Sequence, residues 1–169
     1  VGRSSSIFWP LRIRHHADIA AEVLDLLGIE SATVFGVSWG GAVAQEMARR
    51  HPLMVSRLIL ASTTTGPAII VKPFIVLKRF VKMMTGTDVM QILAVLGWTS
   101  LHWADEITQP TLVISGTEDS LILPYNAHVL NALIPNSKLV LIKGADHYMV
   151  RDKPAETVKH IKIFIRMKA

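Results

Sequence analysis

Residues 34–52, VFGVSWGGAVAQEMARRHP, decide how this chain is read. An apolar run ends at Val37, a serine sits between Gly36 and Gly40, and a helical pattern follows until His51-Pro52 closes it. Residues 32–37, ATVFGV, are short, apolar and rich in β-branched side chains, which predicts a buried strand. Residues 40–51 place Val43 and Met47 with Ala44 and Ala48 along one side, which predicts a helix. The bend between them, Gly36-Val37-Ser38-Trp39-Gly40, fits G-x-S-x-G. A sharp strand-to-helix turn strains the serine backbone and lifts its Oγ above the sheet. Glycines two residues to either side leave room for strand and helix to pass closely. The helix N-terminus then lies beneath Ser38 and favours developing negative charge, with the Trp39 backbone N–H as one donor to it. A tight turn that merely needs small residues reads the same way, so the rest of the chain must supply the context.

Outward from this bend the rhythm repeats. RLILAS (57–62), PTLVISG (110–116) and SKLVLIKG (137–144) read as further buried strands, and 124–133 and 153–167 as helices. Upstream, Ile19, Val23, Leu24, Leu26 and Leu27 recur near a 3.6 period from His15 onward, with Gly28 as the stop, after an irregular stretch over 1–14. Strands without strict alternation, separated by helices, predict an α/β fold: a parallel sheet with helices on both faces. The rhythm breaks at 63–109, where a simple crossover needs only about a dozen residues. There Lys72, Lys78, Arg79 and Lys82 interleave with bulky aliphatics such as Ile69, Ile70, Val76 and Leu77. The segment reads as one or two helices forming a cap, either an ordinary cap over an acyl pocket or a contact with a hydrophobic surface such as polymer or lipid.

Composition sets the bounds. A chain of 169 residues suits one domain, 1–169, and is too short for two ordinary ones. Half the residues are hydrophobic and 18% are charged, which excludes a disordered chain and suggests more apolar surface than a lone monomer hides. There is no cysteine, so disulfides, Cys-ligated zinc and thiol nucleophiles are excluded, and a cytoplasmic setting fits. The net charge of +5 reads as solvated surface lysine and arginine, with no nucleic-acid partner expected. No uncharged apolar run reaches the length of a membrane span and no signal-peptide pattern opens the chain. The first residue is Val1 rather than Met, as in a processed or trimmed fragment.

A nucleophilic serine needs a base, and the base an orienting acid, in the chain order Ser, acid, His. Gly116-Thr117-Glu118-Asp119 lies at the carboxyl end of the third strand, and Gly144-Ala145-Asp146-His147 follows the fourth. Their separation (147 minus 119, 28 residues) is one strand–helix–strand unit. His147 is therefore assigned as base and Asp119 as acid. Glu118 points the other way in an extended backbone, and Asp146 is assigned to solvent or to capping the last helix. His15, His16, His51, His102, His128 and His160 have no ligand-like spacing, so no metal site is expected.

With these residues the chain resembles an α/β-hydrolase, and more narrowly the intracellular poly(3-hydroxyalkanoate) depolymerases of that superfamily. The matching segments are HADIAAEVLDLLGI, GVSWGGAVAQEMA, LILASTTTG, LGWTSLHW, QPTLVISGTED and the closing histidine loop. The resemblance implies hydrolysis of hydroxyalkanoate esters through an acyl-enzyme on Ser38, with His147 and Asp119 as partners and no cofactor. Trp98 and Trp103 of LGWTSLHW, with Met149 beyond the histidine, are assigned to the substrate side, and the substrate is expected to be a small ester or a polyester. Lactonases, thioesterases and carbon–carbon hydrolases use the same triad. Ser38 argues against dehalogenases and epoxide hydrolases, which resemble this fold but carry aspartate there. A non-catalytic module that keeps the elbow only as structure is the reading from outside enzymes. The family's sheet has eight strands, and this chain begins near the loop after the fourth, so a reduced sheet is expected. It would lack the loop that supplies a second oxyanion N–H. Strand 32–37 would become an apolar edge, which predicts a homo-oligomer through that edge or through residues 1–14.

Overall fold

The computed structural model describes residues 11–66, 93–95 and 97–167. Its elements alternate from the start: α1 (Ile13–Leu26), β1 (Ala32–Val37), α2 (Trp39–Arg50) and β2 (Val55–Ala61), then β3 (Thr111–Gly116), α3 (Tyr125–Leu133), β4 (Ser137–Ile142), α4 (Met149–Asp152) and α5 (Pro154–Arg166). The strands form a four-stranded sheet in the order β1-β2-β3-β4, every neighbouring pair parallel. Spatial order thus copies chain order. This is the α/β architecture expected from the apolar, non-alternating strands.

The central strands β2 and β3 bury both faces, which is why they lack alternation. Leu58, Leu60 and Val113 face one core with Ala44, Met47 and Ala48 of α2 and Ala127 and Leu130 of α3. Ile59, Ala61, Leu112, Ile114 and Ile142 face a second core with Met149 and Phe164 of α4 and α5. The crossover helices α2 and α3 therefore share one face, and α4 and α5 cover the other.

Helix α1 packs through small side chains rather than through its bulky apolar stripe. Its buried residues are Ile13, Ala17 and Ala21, with Ala20 and Leu24 packed partly against the core. Ile19, Val23, Leu26 and Leu27 are exposed, Leu26 at 78%. Small side chains at 17 and 21 let α1 lie close on α2, so the bulky stripe turns outward. The helix does stop at Gly28, which takes φ +67°, and Ile29 N–H donates to Leu24 O at 2.9 Å. At β1, Val34 packs on the first core, whereas Phe35 on the other face is 43% exposed.

Of the cap expected over 63–109, residues 67–92 and 96, with Lys72, Lys78, Arg79 and Lys82, lie outside the described residues. Its flanks are pinned to each other. Thr65 O accepts Ser100 N–H at 2.7 Å and the Thr99 hydroxyl at 2.8 Å. Among the described residues no helix is long and apolar enough to cross a membrane.

Candidate active site

The carboxyl ends of the parallel strands all lie on one edge of the sheet, and the elements there bring Ser38, Asp119 and His147 together. Ser38 follows β1 and caps α2 with φ +53° and ψ −119°, a conformation that costs a non-glycine residue of order 1–3 kcal/mol. Its N–H still donates to Ala61 O at 2.9 Å, so the strain is imposed by a continuing ladder on one side and a helix start on the other.

Glycine makes the turn possible, at only one of the two positions expected. A Cβ on Gly36 would meet Gly40 O at 2.5 Å and Ala44 Cβ at 2.7 Å, so β1 and α2 pass too closely for any side chain. A Cβ on Gly40 would meet nothing within 4 Å. The second close approach is at Gly41, where a Cβ would overlap the Thr63 side chain from the loop after β2. The expectation of glycines two residues either side of the serine is corrected accordingly: room is needed at 36 and 41.

Asp119 and His147 stand on loops that are fastened to each other. Gly116 closes β3 where a Cβ would collide with the Ala145 carbonyl. Thr117 N–H donates to Ile142 O at 3.0 Å, Glu118 N–H to Ala145 O at 2.9 Å, and Gly144 N–H to Thr117 Oγ1 at 2.9 Å. Asp119 is 1% exposed. Its Oδ1 accepts the N–H groups of Leu121 (3.0 Å) and Ile122 (2.8 Å), leaving Oδ2 for His147 Nδ1 at 3.0 Å. His147, 9% exposed, carries Nε2 3.0 Å from Ser38 Oγ. With Nδ1–H donated to the carboxylate, Nε2 faces the serine hydroxyl as acceptor. A hydroxyl, an imidazole and a buried carboxylate linked in this way can move a proton off the serine oxygen.

Around them, Glu118 is exposed, on a turn over 117–118 rather than on the extended backbone expected there. Asp146 Oδ1 accepts Tyr148 N–H at 2.7 Å, so it caps the turn into α4 rather than the last helix α5. His16 of α1 packs edge-on against Trp39, ring centroids 4.9 Å apart. Burial, then repulsion from His15, lowers the His16 pKa, which favours a neutral ring beside the elbow.

The residues assigned to the substrate side are placed differently. Trp103 is packed in the first core, with the Arg49 guanidinium 4.7 Å from its ring centroid. Met149 is fully buried in the second core. Both are buried. Trp98 is half-buried, with its indole N–H donated to Glu46 Oε1 at 2.9 Å and its ring edge-on to Trp103. Sequence reasoning missed Thr63, whose hydroxyl donates to Ser38 O at 2.7 Å. The available signal was its place just past β2, the strand beside the elbow. It also missed Gln45, fully buried, which joins Gly41 O, Thr64 O and the Ser100 hydroxyl. Among the described residues no cluster of His, Cys, Asp and Glu could hold a metal ion.

A chain with this sheet and this strained serine elbow matches a known family. The family model described as alpha/beta hydrolase fold matches residues 1–88 and 85–154, and the chain belongs to this family. It is 31% identical to a poly(3-hydroxyalkanoate) depolymerase of Ectopseudomonas oleovorans, over 89% of this chain and 66% of the depolymerase. The chain thus spans just under two thirds of that relative's length. Among solved structures, an enol-lactonase from Burkholderia xenovorans LB400 superposes with a TM-score of 0.82 at 21% identity, over 98% of this chain and 77% of the lactonase. A hydrolase from Pseudomonas aeruginosa gives 0.81 at 20% identity, over 98% and 76%. These two likenesses concern the fold.

Proposed function

We propose that this chain is a serine ester hydrolase, a carboxylesterase of the depolymerase type, working through an acyl-enzyme. The observation that carries the reading is the hydrogen-bonded series Ser38 Oγ–His147 Nε2 and His147 Nδ1–Asp119 Oδ2, both at 3.0 Å. The family and the depolymerase relative support an ester as the bond attacked.

In this reading Ser38 Oγ attacks the ester carbonyl carbon while His147 Nε2 takes the hydroxyl proton. The carbonyl oxygen becomes an oxyanion beside the start of α2, where the Trp39 N–H and the helix N-terminus stabilise it. Collapse expels the alcohol, protonated by His147, and leaves the acyl group on Ser38. Water then attacks with His147 again as base, releasing the acid and restoring the serine. Asp119 keeps the imidazole in the tautomer with Nδ1–H and stabilises the imidazolium as it forms. No cofactor enters the cycle, and the substrate is a small ester or a hydroxyalkanoate polyester.

Hydrolysis of p-nitrophenyl butyrate by the wild type and by Ser38→Ala tests the reading. The variant should lose at least about 10⁴ in kcat, as removal of a triad nucleophile does elsewhere. Labelling by a fluorophosphonate should also disappear. Turnover retained in Ser38→Ala would remove the serine from the mechanism.

A further inference from the structure

Thr63 stands just past β2, whose last residue pairs with the last residue of β1 in the register Val37↔Ala61. Between them Ser62 takes φ +45°, the only positive φ besides Ser38 among the described non-glycine residues. That turn carries Thr63 back over the elbow. The Thr63 side chain lies against Gly41, which has no room for a Cβ, and Thr63 itself is 4% exposed. Its hydroxyl donates to Ser38 O at 2.7 Å, and the same oxygen accepts Gly41 N–H at 2.9 Å.

We infer that Thr63 is a positioning residue for the oxyanion donor, acting through the Ser38–Trp39 peptide. The inference rests on the reading of Ser38 as nucleophile and Trp39 N–H as oxyanion donor. A peptide group is planar, and in the trans form its N–H points opposite to its C=O; there are no cis peptides among the described residues. Whatever fixes the Ser38 oxygen therefore fixes the direction of the Trp39 N–H. The helix supplies one such bond through Gly41, which leaves the plane able to rock about that contact. Thr63 supplies a second from a different element and removes the freedom. The same bond also draws charge toward the carbonyl oxygen and makes the N–H a stronger donor, by about 10–30% on the scale of hydrogen-bond cooperativity. An oxyanion donor must be aimed before the charge develops, since reorientation during the reaction adds to the barrier.

The test compares Thr63→Val, which keeps the shape and removes the hydroxyl, with Thr63→Ser, which keeps the hydroxyl. Both are assayed beside Ser38→Ala on p-nitrophenyl butyrate, with thermal melting and with inhibition by a trifluoromethyl ketone that mimics the tetrahedral oxyanion. In Thr63→Val kcat should fall roughly tenfold, less than the loss of a whole donor. KM should change little, and affinity for the ketone should fall by the same factor as kcat/KM. Thr63→Ser should restore kcat. If Thr63→Val keeps wild-type kcat and ketone affinity while Ser38→Ala is dead, the positioning role is refuted and the nucleophile reading stands. If Thr63→Val does not fold, Thr63→Ser decides: wild-type kcat supports the role of the hydroxyl, and a reduced kcat overturns it. Activity that survives in Ser38→Ala would instead overturn the underlying reading, whatever Thr63 does.

Discussion

A methyl group distinguishes Gly36, Gly40 and Gly41. At 36 it would strike the first turn of α2, at 41 it would strike Thr63, and at 40 it would point into open space. Gly40→Ala should therefore leave stability unchanged or raise it by up to about 1 kcal/mol, because alanine restricts the unfolded chain and suits a helix. Gly36→Ala and Gly41→Ala should each lose roughly 1–3 kcal/mol by overpacking. Thermal denaturation of the three variants checks this, and a loss in Gly40→Ala equal to that in Gly36→Ala would contradict it. The G-x-S-x-G spacing makes 36 and 40 the expected pair, because a spacing records distance along the chain and not the direction of each Cα–Cβ bond. Strand ends are easier to read. Asp119 and His147 could be picked from sequence because each follows an apolar run at the end where parallel sheets build sites. The burial of Trp103 and Met149 was not legible, because a large apolar side chain looks the same in a core and in a pocket.

Between elements, the polar contacts divide into buried and exposed kinds with different expected weights. Gln45 on α2 holds Thr64 O at 3.1 Å and accepts the Ser100 hydroxyl at 2.6 Å, joining the helix to both flanks of the 67–92 segment. Gln45→Leu would leave these buried groups without their partner, at about 1–3 kcal/mol for each orphan. A urea midpoint should fall accordingly, and an unchanged midpoint would mean that the network relaxes without loss. Asp18 on α1 pairs with Arg50 at 2.9 Å and with His51 at 2.8 Å across the α1–α2 contact. The Arg50 hydrogen bond holds the Asp18 carboxyl below its ordinary 3.8. The unfolded chain therefore takes up this proton first on acidification. The stabilisation is whole above the ordinary value and fades as pH falls through the depressed one. Because both partners are about 40% exposed, it amounts to under about 1 kcal/mol. The melting difference between wild type and Asp18→Asn should be flat above about pH 5 and shrink below it. Helix α1 is legible as a helix, but its buried side is not. Its apolar periodicity marks two candidate stripes, and the small alanines, which allow close approach, decide which one is buried.

At the scale of the whole molecule, one flank of the described residues combines exposed apolar side chains with a strand edge. Among the described residues β1 pairs only with β2, Phe35 stands on its uncovered face, and α1 presents Ile19, Val23, Leu26 and Leu27 to solvent. An apolar, unpaired edge recruits other chains. Light scattering at micromolar concentration should show self-association, reduced by Phe35→Lys with Leu26→Glu. Identical particle mass for wild type and the double variant would remove this flank as the contact. The sequence carried the quantity of this surface in its 50% hydrophobic content but not its location. Location depends on which strand has no neighbour, and that belongs to the assembled sheet.

The sheet whose spatial order copies chain order also has a direction in time. A polypeptide emerges from its N-terminus, so each of the four described strands can dock on the one made just before it. The elbow around Ser38 needs only β1, α2 and the end of β2, all finished by Thr63. The imidazole it faces is made much later, on the last loop before α4 and α5. The nascent chain thus holds a formed but idle serine until residue 147 has been added and β4 has zipped onto β3. The same ordering applies in reverse to the mature protein. Opening of the β3–β4 end would separate His147 and Asp119 from Ser38 while leaving the elbow intact, so under the proposed reading activity would be lost before the fold is.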